Sequence, residues 1–201
     1  LVSALIVHQN KIIGERWHLR AGEAHAEVNA INQVENSSLF PKTTLYVNLE
    51  PCSHFGKTPP CADLIIKTGI KKVVIASRDP NPQVAGRGIE RLKNAGVEVI
   101  ENVLKEEAEF LNRRFYTYHQ KNRPYIILKW AQTEDGFIAP FKKETKQPFW
   151  ISNELVKQKV HQWRSQETSI LVGVQTVVDD NPVLSTREWT GKNPLRLILD
   201  P

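Results

Sequence analysis

Residues 4–7 are a continuous apolar run and 11–17 a second strand-like run that begins Lys-Ile-Ile, with the polar turn His8-Gln9-Asn10 between them. That pattern predicts a β-hairpin. Val28, Ile31 and Val34 then recur at helical spacing and predict a helix over 26–34. Residues 44–49 read as a strand. Pro59-Pro60 opens a second helix that runs through Thr68 and is closed by Gly69. Residues 72–76 have the continuous apolar character of a buried strand, and Asp79-Pro80-Asn81-Pro82 marks a rigid loop. A helix over 89–94 ends at Gly96, a strand follows over 97–100, and 105–120 reads as one long charged helix. Strands alternating with helices indicate an α/β layered fold.

The pattern restarts at Pro124. Residues 125–130 read as a strand, Asp135-Gly136 as a turn, and 154–164 as a helix capped by Ser152 or Asn153. Further strands are expected over 168–172 and 195–199. The expected organisation is a first domain over 1–122 and the opening part of a second over 123–201. The chain opens directly in an apolar run, stops just after another, and has no Met. An incomplete chain is therefore expected at both ends.

Composition narrows the class. The 201 residues are 40% hydrophobic and 24% charged, as in ordinary globular proteins. No apolar run reaches the length needed to cross a bilayer, and no signal-peptide zones are present. The expected location is the cytoplasm. The net charge of +5 is spread along the chain rather than clustered, so charge gives no reason to expect a nucleic-acid partner. Only two Cys are present, and in a cytoplasmic chain metal binding or burial explains them better than a disulfide.

Those two cysteines belong to a larger pattern. His25-Ala26-Glu27 stands at the start of the first helix, Pro51-Cys52 just after a strand, and Cys61 at the start of the second helix. One His and two Cys form a three-ligand zinc set that leaves a fourth position open, as catalytic zinc requires. A helix N-terminus favours the thiolate form that binds metal. Glu27, two residues from His25, stays off the metal and serves as proton shuttle. His-x-Glu with Pro-Cys and a second Cys is the zinc deaminase signature. Alone, His-x-Glu usually means a solvated helix start, and two Cys usually mean two small buried residues. A purely structural zinc takes four protein ligands. His54 is near enough in sequence to be the fourth, and that is the rival assignment.

The spacing departs from the generic signature, with eight residues between the cysteines rather than two. The segment from Glu50 through Cys61 closely resembles the bifunctional riboflavin-biosynthesis deaminase–reductase family. So do His25-Ala26-Glu27-Val28-Asn29-Ala30 and the segment from Asp79 through Gly88. The resemblance implies a cytidine-deaminase-like three-layer domain followed by a dihydrofolate-reductase-like α/β domain, the latter incomplete. It also implies zinc-assisted hydrolytic deamination of a diaminopyrimidinone carrying a ribosylamino 5-phosphate. Glu27 would move protons from the water to the ring nitrogen and the leaving ammonia. His54, Lys57, Asp79 and Asn81 map to the family's substrate loops. A lysine and a histidine suit a phosphate, and Asp and Asn suit ribose hydroxyls or a pyrimidine edge. Without the resemblance, Asp79 and Asn81 read as turn chemistry. The family's Pro-Asn-Pro segment would lie before the first residue, and Ser3 stands where the family usually has Gly.

In the second unit, Lys129-Trp130-Ala131-Gln132-Thr133-Glu134-Asp135-Gly136 resembles the family's reductase opening, with Thr133 in place of Ser. Trp150-Ile151-Ser152 and the stretch from Gly173 through Arg187 also match. The resemblance implies NADPH-dependent reduction of the ribosyl group to a ribityl chain. The residues implied at the substrate or cofactor site are Lys129, Asp135, Trp150, Ser152, Arg164, Gly173, Thr176, Asp180, Asn181, Leu184 and Arg187. From chemistry alone, Lys129 and Arg187 read as surface cations and Trp150 as core. The family's Glu-Gly-Gly cofactor segment would lie after Pro201. A homo-oligomer is the expected assembly.

Two other readings compete. One is a zinc deaminase of cytidine, a deoxynucleotide or a tRNA adenosine, against which the cysteine spacing and the second unit argue. The other is a non-catalytic zinc-stabilised nucleotide-binding module, against which Glu27 argues.

Overall fold

The hairpin closes through a two-residue turn, because His8 pairs directly with Lys11. Gln9 and Asn10 both have positive φ, 47° and 61°, the conformation of a type I′ turn. The strands are β1 (Ser3–His8) and β2 (Lys11–Trp17), antiparallel, with a bulge between Ile6 and Val7. This computed structural model describes residues 1–56, 58–82, 84–142 and 149–200. Residues 1–126 and 127–201 form two compact units.

The first unit is built on a five-stranded sheet in the order β2-β1-β3-β4-β5, with β3 (Thr44–Val47), β4 (Lys72–Ile75) and β5 (Glu98–Glu101). β1 runs antiparallel to β3, whereas β3, β4 and β5 run parallel, as helical crossovers demand. Ala4, Ile6, Leu45, Val47, Val73 and Ile75 lie on one sheet face and are almost fully buried. They pack with Ala26, Ala30 and Ile31 of α1 (Ala26–Ile31), Ala62 and Ile65 of α2 (Cys61–Thr68), and Ile89 and Leu92 of α3 (Arg87–Asn94). The other face is less covered: Val74 is buried, but Tyr46 and Ile100 remain about 40% exposed. α2 begins after Pro60 and ends at Gly69, whose φ of +82° is the left-handed cap that the sequence pattern predicts.

Several elements differ from expectation. α1 ends at Ile31 rather than at residue 34, and Gln33 and Val34 make i→i−3 bonds that tighten its last turn. A 3₁₀ segment at Ser37–Lys42 was not predicted. The long helix is divided into α4 (Lys105–Leu111) and α5 (Arg113–Lys121) at Asn112, whose ψ of 22° leaves the helical range. Asparagine competes locally with the helix ladder, which makes it a natural break.

Residues 125–130 form no strand and join no ladder among the described residues. A strand depends on a partner as well as on its own sequence, and Ile126, Leu128 and Trp130 stand more than 60% exposed. α6 (Glu154–Gln166) is capped by Asn153, whose Oδ1 accepts the Val156 N–H at 3.0 Å. β6 (Ser169–Gly173) leads into the unpredicted α7 (Val174–Asp180) and pairs in parallel with β7 (Leu195–Leu199). No helix among the described residues is long and apolar enough to cross a membrane.

Candidate metal centre

Three elements place one ligand each. His25 is the N-cap of α1, Cys52 follows the exit of β3, and Cys61 is the first residue of α2. His25 Nδ1 lies 3.5 Å from Cys52 Sγ and 3.3 Å from Cys61 Sγ, and all three ligand atoms fall within 4.8 Å of one another. With Zn–N near 2.0 Å and Zn–S near 2.3 Å, tetrahedral geometry puts N and S about 3.5 Å apart. The arrangement therefore fits a zinc ion. His54 does not converge with this group; it is exposed and lines the adjacent cavity.

The electrostatics fit the same use. Cys52 is lowered to about 4, first by its hydrogen bond with the Cys61 thiol, and it also accepts the Cys61 backbone N–H at 3.3 Å. Cys61 is pushed up by Cys52 and by burial. Two thiols that cannot both ionise alone ionise together beside a dication. His25 is raised chiefly by its bond to Cys52, and its Nε2 lies 3.3 Å from Thr58 Oγ1.

Glu27 occupies the second position of α1 and is 3% exposed. Burial raises its carboxyl to about 7, and its Oε2 has no hydrogen-bond partner. A buried, unpaired carboxyl oxygen is costly unless it has a use. A group that titrates near neutrality can both take and give a proton.

A cavity of about 250 Å³ opens beside the ligand group, lined by His18, Ala21, Gly22, His25, Cys52, His54, Gly56 and Thr58. His18 and Thr58 were not singled out from the sequence. His18 stacks edge-on against His25 with ring centres 5.2 Å apart, and its Nδ1 meets the Ala24 carbonyl at 3.1 Å. Nothing in its local sequence marks it, because it reaches the site through the turn between β2 and α1. Lys57 lies outside the described residues. Asp79 and Asn81 do not line this cavity. Asp79 Oδ1 accepts the Asn81 N–H at 2.8 Å, the local turn bond such a sequence favours, and burial raises the Asp79 carboxyl.

In the second unit, Arg164 and Arg187 are close enough to repel, and burial lowers the Arg164 guanidinium. Arg164 Nη1 donates to the Ser185 carbonyl at 3.1 Å, while its Nε is buried without a partner. Arg187 lines a shallow cavity with Glu188, Trp189 and Thr190. Gly173 caps α7, Thr176 lies within it, Asp180 ends it, and Asn181 follows in the left-handed region. Leu184 is buried. Lys129, Asp135 and Trp150 stay exposed and Ser152 is half-buried; the Lys157 ammonium lies 5.0 Å over the Trp150 ring. The Asp135 carboxylate takes a turn bond from Thr133 Oγ1 at 2.5 Å.

Comparison with known proteins agrees with both halves. Residues 1–77 match the cytidine and deoxycytidylate deaminase zinc-binding region, and residues 124–201 match the RibD C-terminal domain. The riboflavin biosynthesis protein RibD of Aquifex aeolicus is 49% identical over the whole chain, which covers 55% of that protein. Its Escherichia coli counterpart is 38% identical over 99% of the chain and 56% of its own length. A solved structure from Thermotoga maritima, a diaminohydroxyphosphoribosylaminopyrimidine deaminase/5-amino-6-(5-phosphoribosylamino)uracil reductase, superposes with a TM-score of 0.90 at 47% identity. It is matched over 99% of this chain and 56% of that one. The chain thus spans about half the length of the relatives it matches.

Proposed function

We propose that the chain is part of a riboflavin-biosynthesis deaminase–reductase and that its first unit deaminates 2,5-diamino-6-ribosylamino-4(3H)-pyrimidinone 5′-phosphate. The products are 5-amino-6-(5-phosphoribosylamino)uracil and ammonia. The observation that carries this reading is Glu27: buried, with Oε2 unpaired, two residues from the metal-ligand histidine. A structural zinc site has no use for such a group.

His25, Cys52 and Cys61 would hold zinc. When bound, zinc lowers the pKa of water towards neutrality and so supplies a nucleophile at physiological pH. Glu27 takes the proton that the attacking water gives up. It then delivers protons to the ring nitrogen and to the departing amine, its burial keeping it poised near neutrality. His54 and Lys57 hold the phosphate end, while Asp79 and Asn81 contact the ribose or the pyrimidine edge. The second unit contributes to an NADPH-dependent reduction of the ribosyl group. There Lys129, Asp135, Trp150, Ser152, Arg164, Gly173, Thr176, Asp180, Asn181, Leu184 and Arg187 form the substrate and cofactor side. A homo-oligomer in the cytoplasm completes the reading.

The test is ammonia release by the zinc-loaded protein, with cytidine in parallel. Release from the pyrimidinone alone is expected. Release from cytidine alone overturns the substrate, and release from neither, with zinc bound, points to a binding module.

A further inference from the structure

Glu50 stands two residues before Cys52 and is 4% exposed. It does not belong to the metal-ligand group or the cavity lining. Its Oε2 accepts the N–H groups of Asp79 at 3.2 Å and Gly86 at 2.9 Å, and its Oε1 those of Gly88 at 3.0 Å and Ile89 at 3.3 Å. Four donors on two oxygens use the full acceptor capacity of an ionised carboxylate. Three of these donors belong to the cap and first turn of α3, where amides have no partner within the helix and negative charge is favoured. The Glu50 backbone N–H goes to the Ser77 carbonyl at 3.0 Å, just past β4. Arg91 of α3 adds a second tie: it donates to the Ser53 carbonyl at 3.2 Å and pairs with Asp63 of α2 at 2.5 Å.

We propose that Glu50 is a positioning residue whose buried carboxylate locks the Cys52 turn, the Asp79 turn and the start of α3 into one frame. A metal ligand and a substrate-facing segment are thereby held at a fixed separation. The substrate half of this inference rests on the deaminase reading; the metal half does not. No neutral side chain of the same length replaces it, because glutamine turns two acceptor positions into donors that face N–H groups.

Residue-resolved amide exchange on the full zinc-loaded chain tests the frame. The amides of Asp79, Gly86, Gly88 and Ile89 are expected to open together, with protection equal within about threefold. Opening of Asp79 and Gly86 tenfold or more ahead of Gly88 and Ile89 overturns the proposal. Glu50→Gln is expected to weaken zinc about tenfold against a chromophoric chelator and to raise KM for the pyrimidinone more than it lowers kcat, with Glu50→Asp recovering part of both. Ile6→Val, a remote core change, supplies the control for lost stability alone. If Glu50→Gln loses only melting temperature, as that control does, the proposal fails. If Glu50→Gln does not fold, the exchange result on the unsubstituted chain decides. Absence of turnover in the unsubstituted chain counts against the deaminase reading and leaves the zinc and exchange outcomes to judge Glu50.

Discussion

A β-carbon built on Gly88 would lie 1.9 Å from the carbonyl oxygen of Pro51. Real atoms do not approach so closely, and the obstacle is backbone rather than a side chain that can swing away. The first turn of α3 therefore touches the main chain next to Cys52, and only glycine permits it. Gly88→Ala must push α3 and the cysteine turn apart. The expected loss is about 2–3 kcal/mol of stability, the scale of overpacking in a tight core. Urea unfolding measures it, and a change under 0.5 kcal/mol would show that the contact relaxes freely.

Glu27→Gln keeps the shape of the side chain and removes its proton chemistry. Turnover is expected to fall about 10²–10⁴-fold, the usual contribution of a general acid–base group. Zinc content should remain one per chain, because His25, Cys52 and Cys61 are untouched. Ammonia release and metal analysis on one preparation check both halves. Retained turnover would remove Glu27 from the chemistry.

Metal removal should unfold the first unit more easily. A ligand present at a hundred times its dissociation constant stabilises a fold by about 2.7 kcal/mol. A strong chelator is expected to lower the melting temperature of the unsubstituted chain and to leave Cys61→Ser nearly unmoved. An equal shift in both would mean the chelator acts elsewhere.

Glu101 predicts a pH dependence. Lys93 Nζ reaches its Oε1 at 2.7 Å and Arg78 Nη2 its Oε2 at 2.8 Å, and together they hold the carboxyl below its ordinary value of 4.5, Lys93 first. A lowered folded pKa means the stabilisation is complete above about pH 4.5 and is lost as pH falls through the folded value. Both cations are at least half exposed, so solvent limits the effect to about 1 kcal/mol. Glu101→Gln should therefore destabilise more at pH 7 than at pH 3. Equal losses at both pH values would contradict the assignment.

The hairpin turn offers a gain. Gln9 and Asn10 both sit at positive φ, where a side chain other than glycine costs about 1 kcal/mol. Replacing the pair by Asn-Gly, through Gln9→Asn with Asn10→Gly, is expected to raise stability by about 0.5–1 kcal/mol. Thermal unfolding reads the change, and a loss would mean the Gln9 or Asn10 side chain makes a contact worth more than the strain.

Local chemistry made much of this molecule legible in its sequence. The hairpin and the Pro60-to-Gly69 helix rest on signals within a few neighbouring residues, whereas His25, Cys52 and Cys61, far apart in the chain, are joined by the zinc deaminase signature. Glu50 was not legible as a tie, since its donors lie 29 to 39 positions further along. His18 was hidden for a different reason: no motif includes it, and only the turn towards α1 brings it against His25. Residues 125–130 misled in the opposite direction. Their aromatic and branched apolar run is that of a strand, but composition cannot report whether a neighbour is there to pair with.

The Cys52 and Asp79 turns leave neighbouring parallel strands at the same end, where Val47 pairs with Ile75. Parallel strands place successive exits along one rim, away from the ladder that holds the sheet together. A connection rewritten at that rim leaves every ladder bond in place, but at the Cys52 and Asp79 turns it must also keep the bonds that converge on Glu50. The sheet leaves its rim open to change, and one carboxylate narrows which changes it tolerates.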